Sequence, residues 1–209
     1  MLFRSGDGSA RDVLDAFERI FARHGRGTLR HTIAHNTIVH PDDIPRYAAL
    51  GLIANCTPLW GTDYHGQYRT IYTELLGAER VEERVFPYGD LVRSGAVVTF
   101  GADLPGVDVD EIPPLIQIEA AMTRKRPGFP QDEAFVPRQR IGLVDALRAY
   151  TVNAAYQVRM EHQLGSIEVG KRADLVVLGA DLFGVAPEDV HSVPVVLTMM
   201  DGRVTFDGR

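Results

Sequence analysis

Residues 95–106 read GAVVTFGADLPG, an apolar run that ends in a lone carboxylate. β-Branched and aromatic residues at positions 97–100 predict a buried strand, and the glycine, aspartate and proline that follow predict its end. In parallel α/β sheets, chemistry gathers at the carboxyl ends of the strands. The sequence therefore places Asp103 where such a sheet would present a side chain to a ligand.

Two further strand candidates precede this one, TLRHTIAH at residues 28–35 and LIANCTPLW at residues 52–60. Segments with helical spacing or helix-ending glycines lie between and around the strands, at residues 9–24, 40–51, 68–77, 87–95 and 110–124. Alternating strands and helices predict an α/β fold with a parallel sheet flanked by helices. His35 then ends one strand at the edge where Asp103 ends another.

The rest of the chain changes character. Residues 125–140 are rich in proline, glycine and charge and predict an exposed loop, whereas residues 143–158 predict one amphipathic helix. From Gly165 onward short β runs dominate, and Asp201–Gly202 is a hairpin signal. We therefore predict a boundary near residue 162, with one domain over residues 1–162 and strands of a second over residues 163–209.

Composition excludes several classes of function. The 209 residues carry 22 Lys and Arg against 28 Asp and Glu, a net charge of −6 with no basic block, which argues against a nucleic-acid or anionic-membrane partner. No stretch is long and apolar enough to span a bilayer. The single cysteine, Cys56, lies in an apolar run and is interpreted as a core residue. A lone cysteine also favours a reducing, cytoplasmic location.

His35 and Asp103 are the candidate site residues. An imidazole and a carboxylate are a common ligand set for zinc or a similar divalent ion, and an aspartate beside such an ion can act as a general base. For either residue taken alone, the favoured interpretation is a polar group that caps the next helix, and it is the pair that indicates a site. His31 shares a strand face with His35 and is interpreted as a core histidine, while His40 and His65 are predicted to be solvated.

Six segments in order resemble one family. They are GDGSARDVLDAFERI (6–20), RHTIAHNTIVHPDDIPRYAALGLIANCTP (30–58), FPYGDLVRSGAVVTFGADLP (86–105), LVDALRAYTVNAAYQV (143–158), GSIEVGKRADLVVL (165–178) and TMMDGRVTF (198–206). Together the segments resemble the C-terminal part of a metal-dependent amidohydrolase of family 3, the YtcJ-like branch. The last two segments are common to much of the superfamily, but the ordered set is specific.

The resemblance implies the C-terminal part of a (β/α)8 TIM barrel plus a portion of a small β-sandwich. It implies hydrolysis of a non-peptide carbon–nitrogen bond by a metal-activated water. The substrate would be a small-molecule amide or cyclic amide, and the cofactor a divalent metal, zinc by analogy. His35 would be a metal ligand. Asp103 would bind the metal and act catalytically, taking the proton of the water and delivering it to the leaving nitrogen.

The departures from the family pattern are equally informative. The sequence contains no His-x-His pair, Phe3 stands where the family has a histidine, and Ala34 and Ala102 replace the usual Glu and Ser. A complete barrel needs about 250 residues or more, and a catalytic zinc site needs three protein ligands. We therefore expect a fragment with an incomplete metal site, inactive by itself. Two alternatives are a half-barrel that assembles with a partner chain or a second copy covering its open edge, and a non-catalytic remnant that acts as a binding or regulatory module.

Overall fold

Four short strands lie parallel in one sheet, in the order β1–β2–β3–β4. The computed structural model describes the backbone of residues 2–4 and the whole of residues 6–209. The strands are β1 (Leu2–Arg4), β2 (Thr32–His35), β3 (Ile53–Cys56) and β4 (Val97–Phe100). All three ladders between neighbours are parallel, so the predicted α/β arrangement with a parallel sheet is confirmed.

Eight helices accompany the strands within the described residues. They are α1 (Asp7–His24), α2 (Ile44–Leu50), α3 (Tyr68–Leu76), α4 (Ala78–Arg84), α5 (Tyr88–Arg93), α6 (Pro114–Thr123), α7 (Leu143–Tyr150) and α8 (Val152–Gln157). Short 3-10 turns fill several of the connections. No described helix combines the length and the apolar character that a bilayer crossing requires.

One face of the parallel sheet forms the main core. Ile33, Ala54 and Val98 are partners across three adjacent strands, and all three are almost fully buried. They share a single apolar cluster with Leu14 of α1 and Leu91 of α5. Burial of apolar side chains is the main favourable contribution to folding, so this face fixes the register of the strands.

The second sheet is antiparallel, in the order β5–β6–β7. Its strands are Leu175–Leu178, Val195–Met200 and Arg203–Asp207. Asp201 and Gly202 turn between the last two strands with φ of 50° and 77°, as a type I′ hairpin requires. The hairpin prediction is confirmed. The resemblance also implied a strand just after Gly165, but residues 166–169 form no strand in the described chain, and Ile167 lies exposed.

The prediction of an exposed loop over residues 125–140 is wrong for its second half. Phe135 and Val136 are fully buried. The cause is Arg124, whose backbone carbonyl accepts from the Phe135 N–H at 2.8 Å and whose Nε donates to the Phe135 carbonyl at 2.9 Å. These two hydrogen bonds between Arg124 and Phe135 fold residues 125–135 back onto the core. Amino-acid composition alone does not indicate such a fold-back.

The single helix predicted over residues 143–158 is two helices. The chain breaks at Thr151, where φ is −116° and ψ is −95°, and the Thr151 hydroxyl donates to the Leu147 carbonyl at 2.8 Å. Such local hydrogen bonds compete with the regular helix ladder. After the break, Asn153 Nδ2 donates to the Val98 carbonyl at 2.9 Å and attaches α8 to strand β4.

Leu91→Ala is expected to lower the free energy of unfolding by about 2–5 kcal/mol, because Leu91 is 0% exposed in the main core and its truncation leaves a cavity. Urea denaturation followed by circular dichroism measures the change. Leu75→Ala is the matched control, since Leu75 is 72% exposed on α3, and its effect should stay within about 0.5 kcal/mol. Equal losses in the two variants would contradict the assignment of the core.

Candidate functional site

The two predicted site residues meet at the carboxyl edge of the parallel sheet. His35 is the last residue of β2, and Asp103 lies three residues beyond the end of β4. His35 Nδ1 and Asp103 Oδ2 are 3.7 Å apart, and the side chains are 16% and 29% exposed. The parallel register causes this meeting, because it brings the ends of β2, β3 and β4 to one level.

The backbone turns sharply where each of these residues leaves its strand. His35 and Asp103 both have left-handed φ, at 71° and 61°. Non-glycine residues rarely adopt such angles, and they do so where the surrounding structure enforces them, often at functional sites. The loop after β4 closes tightly, with the Gly106 N–H donating to the Asp103 carbonyl at 2.6 Å.

Trp60 forms one wall of the site. It lies in the 3-10 turn Pro58–Gly61 that follows β3, and its ring centroid is 5.7 Å from that of His35, at an interplanar angle of 45°. A Cβ added to Gly106 would come within 2.9 Å of Trp60 Cζ2 and 3.4 Å of Asp103 Oδ2, so the indole also borders the Asp103 loop. Within the described residues, the buried indole N–H has no hydrogen-bond partner. Trp60 was not among the predicted site residues, although a single tryptophan just beyond a predicted strand was a usable signal.

A polar pair lies one step below the strand ends. Asn55 of β3 and Thr99 of β4 are direct partners, and Asn55 Nδ2 donates to Thr99 Oγ1 at 3.1 Å. The partner of Asn55 on the other side is Ala34, where the family resemblance led us to expect a glutamate. Asn55 and Thr99 were also missed, because nothing in a single sequence distinguishes them from ordinary strand residues.

The two side chains suit one divalent ion in kind and in spacing. Tetrahedral zinc binds histidine nitrogen and carboxylate oxygen at about 2.0–2.2 Å, so two ligand atoms of one ion lie roughly 3.3–3.6 Å apart, and the Nδ1–Oδ2 distance of 3.7 Å is close to that range. No group of three or more His, Cys, Asp or Glu side chains that could hold a metal occurs in the part of the chain that the structure describes. The described residues therefore offer two ligands, fewer than a catalytic zinc site uses.

The remaining candidate residues have structural surroundings. His31 packs against Phe17 and Phe21, with ring centroids 4.8 Å and 5.9 Å away, but it is only partly buried and lies just before β2, so the core interpretation holds in part. Burial of Cys56 raises the pKa of its thiol well above its ordinary value, which is unfavourable for a nucleophile.

The other predictions have mixed outcomes. His65 is exposed as predicted, but His40 is only partly exposed, because its Nδ1 accepts from the Asp42 N–H at 3.2 Å and caps a 3-10 turn. The side chain of Phe3, at the position of a family histidine, lies outside the described residues.

Comparison with known proteins identifies the family. A model of the amidohydrolase family matches residues 2–206, which is nearly the whole chain, and the chain therefore belongs to amidohydrolase family 3.

Three curated relatives match across more than nine-tenths of this chain. Protein LONG AFTER FAR-RED 3 of Arabidopsis thaliana is 30% identical over 96% of the chain and 33% of its own length. The putative amidohydrolase YtcJ of Bacillus subtilis is 23% identical over 97% of this chain and 36% of its own length. The N-substituted formamide deformylase of Arthrobacter pascens is 27% identical over 93% of this chain and 34% of its own length. The chain spans about a third of the length of these relatives.

Solved structures agree on the fold. An uncharacterized metal-dependent hydrolase from Pyrococcus furiosus superposes with a TM-score of 0.60 at 23% identity, over 82% of this chain and 31% of that one. An adenosine deaminase from Xanthomonas campestris, solved with bound zinc, superposes with a TM-score of 0.58 at 19% identity. The match covers 99% of this chain and 45% of that one. The chain thus has an α/β fold shared with amidohydrolases and other metal-dependent hydrolases.

Gly106→Ala is expected to displace the wall of the site, because the added methyl group meets the Asp103 carbonyl oxygen at 2.8 Å and Trp60 Cζ2 at 2.9 Å. Overpacking of this kind costs about 1–3 kcal/mol, and the emission of Trp60, the single tryptophan, should change. Fluorescence and thermal denaturation measure the two effects. Gly101→Ala is the matched control, since its nearest neighbours would be 3.8 Å away. Unchanged emission in the Gly106 variant would contradict the packing described.

Proposed function

We propose that this chain forms the carboxyl-terminal half of an amidohydrolase barrel. In this proposal β1–β4 correspond to the fifth to eighth strands of a (β/α)8 barrel, and β5–β7 belong to a β-sandwich that begins after a boundary near residue 162. The parallel order of the four strands and the partial coverage of the solved hydrolases support this assignment. The reaction would be hydrolysis of a non-peptide carbon–nitrogen bond.

The observation that carries the proposal is the approach of His35 Nδ1 to Asp103 Oδ2, at 3.7 Å. We assign His35 as a ligand of a divalent metal, zinc by preference, and Asp103 as both a ligand and the catalytic carboxylate. When bound, such an ion polarises a carbonyl group and lowers the pKa of water. A carboxylate has two oxygens, so one can bind the ion while the other accepts a proton.

Asp103 then has two tasks in hydrolysis. Its carboxylate accepts the proton of the attacking water and donates it to the leaving nitrogen, so the amine departs neutral. The tight Asp103–Gly106 turn restrains the backbone that carries the carboxylate, which favours efficient proton transfer. Trp60 offers a flat apolar surface beside His35 for the substrate.

The substrate class is a small-molecule amide or cyclic amide. Support comes from the family and from the deformylase among the relatives, which by its name acts on N-substituted formamides. The described chain contributes two ligands to a site that needs three, so we propose that the chain alone does not turn over substrate.

A second candidate function is a half-barrel that assembles with a partner chain or with another copy. The observation that favours it is the sheet order, which leaves β1 and β4 each paired on one side within the described residues. Unpaired strand edges are templates for pairing with another chain. Assembly of this kind would also bring further ligands to His35 and Asp103.

Zinc binding tests the ligand assignment. Calorimetric titration of the chain with zinc should show one weak site, removable by a chelator. His35→Ala and Asp103→Asn should each weaken it by more than the roughly 10–100-fold that loss of an outer partner costs. His24→Ala, at the exposed end of α1, is the matched control and should bind as the unaltered chain does. Unchanged zinc affinity in the His35 and Asp103 variants would refute the assignment, and no binding by any variant would favour a non-catalytic module.

Turnover tests the chemistry separately. With zinc present, the isolated chain should hydrolyse a panel of N-acyl amides and cyclic amides no faster than buffer, because its site lacks a third ligand; chromatographic product assays measure this. Hydrolysis that disappears in Asp103→Asn would overturn the predicted inactivity yet support the role of Asp103. Hydrolysis that persists in Asp103→Asn would contradict the proposed mechanism.

A further inference from the structure

We propose that Asn36 and Tyr47 form a positioning pair that fixes the orientation of the His35 side chain. The inference rests on the proposed function in one respect, because it assigns the pair a purpose through His35 as a metal ligand. Both act through the backbone that carries His35.

Asn36 lies one residue beyond the end of β2, and its side chain links β2 to β3. Its Nδ2 donates to the carbonyl of Ile33 in β2 and to the carbonyl of Asn55 in β3, each at 3.0 Å. The backbone at His35 and Asn36 has left-handed φ, 71° and 51°, so the chain has left its extended path at this point. The Asn36 amide therefore supplies donors across the β2–β3 edge where the chain turns away, and it anchors that turn.

Tyr47 fixes the Asn36 amide in one orientation. The Tyr47 hydroxyl, on helix α2, donates to Asn36 Oδ1 at 2.7 Å. An amide can flip and exchange its oxygen and nitrogen, but here the hydroxyl holds the oxygen and the two carbonyls hold the nitrogen. Asn36 is 1% exposed and Tyr47 is fully buried, so water does not compete for these hydrogen bonds.

His35 is the residue that this network restrains. Asn36 is its immediate neighbour, and rotation of the Asn36 backbone would swing the His35 imidazole away from Asp103 and Trp60. The Tyr88 hydroxyl also reaches the His35 carbonyl, but that contact is long at 3.5 Å, and the same hydroxyl donates to the Thr57 carbonyl at 3.3 Å. The Tyr47–Asn36 hydrogen bond is shorter, at 2.7 Å, and joins two buried residues, so it restrains this turn strongly.

Tyr47→Phe is the decisive variant, because it removes the hydroxyl and keeps the ring. The matched control is Tyr150→Phe, since the Tyr150 hydroxyl is also buried but has no hydrogen-bond partner among the described residues. Asn36→Ala is a second variant, which removes the hydrogen bond from Tyr47 and the Nδ2 contacts to the Ile33 carbonyl, the Asn55 carbonyl and, at 4.0 Å, Cys56 Sγ. Far-UV circular dichroism confirms that each variant is folded before the measurements below.

The first readout is nuclear magnetic resonance at one fixed pH and without metal. The ring protons of His35 lie in the field of the Trp60 indole, whose centroid is 5.7 Å away. In Tyr47→Phe and Asn36→Ala we expect the His35 ring signals to shift and their cross-relaxation with Trp60 to weaken. In Tyr150→Phe both should match the unaltered protein. A purely stabilising role would lower the melting temperature and leave the His35 signals in place.

The second readout is zinc affinity by calorimetry at a temperature where all variants are folded. We expect Tyr47→Phe to bind zinc roughly 10–100-fold more weakly, the usual effect of losing a group that orients a metal ligand. Unaltered His35 signals in both Tyr47→Phe and Asn36→Ala would overturn the inference. Shifted signals with zinc binding that is independent of His35 would support the positioning pair and contradict the proposed metal ligand, so the two failures are distinguishable.

Discussion

The register of the parallel ladder is the constraint on which the rest of the structure depends. Ile33, Ala54 and Val98 occupy one level of three strands and are buried on one face. A slip of one residue would turn this apolar set toward the other face. Because the register is fixed, the strands end together, and residues far apart in sequence become neighbours. The approach of His35 to Asp103 follows from core packing before any attraction between the two side chains is considered.

Directly after α6 the chain buries a charged side chain, that of Arg124. Arg124 is fully buried, and burial lowers the pKa of its guanidinium to about 10. Its two terminal nitrogens have no hydrogen-bond partner within the described residues, although the group lies 5.6 Å from the Tyr88 ring centroid. A Cβ at Gly61 would come within 2.1 Å of it, so a glycine is needed there. The burial of this cation is unfavourable, whereas the burial of the Phe135 and Val136 side chains beside it is favourable.

The sequence predicted those parts of the fold that depend on periodicity and on turn chemistry. The three strands, the glycine that ends α2 with φ of 66° and the Asp201–Gly202 hairpin all follow from local pattern. Local pattern did not predict the buried stretch around Phe135 or the break at Thr151. The first depends on hydrogen bonds between Arg124 and Phe135, and the second on the Thr151 hydroxyl bonding the Leu147 carbonyl. A polar, proline-rich composition predicts a surface loop on average and contains no information about a single buried arginine.

In the candidate site, too, local sequence pattern predicted some residues and not others. His35 and Asp103 were accessible to sequence reasoning because a polar residue after an apolar strand is a local signal. Trp60, Asn55 and Asn36 were not, since their importance lies in which atoms they meet across the sheet edge. Those contacts surround the candidate imidazole and carboxylate, and the orientation of these two groups decides whether they can bind one ion. A metal site therefore needs the right ligands, and it also needs the buried amides, hydroxyls and rings that hold them, which only the folded arrangement of the strand ends reveals.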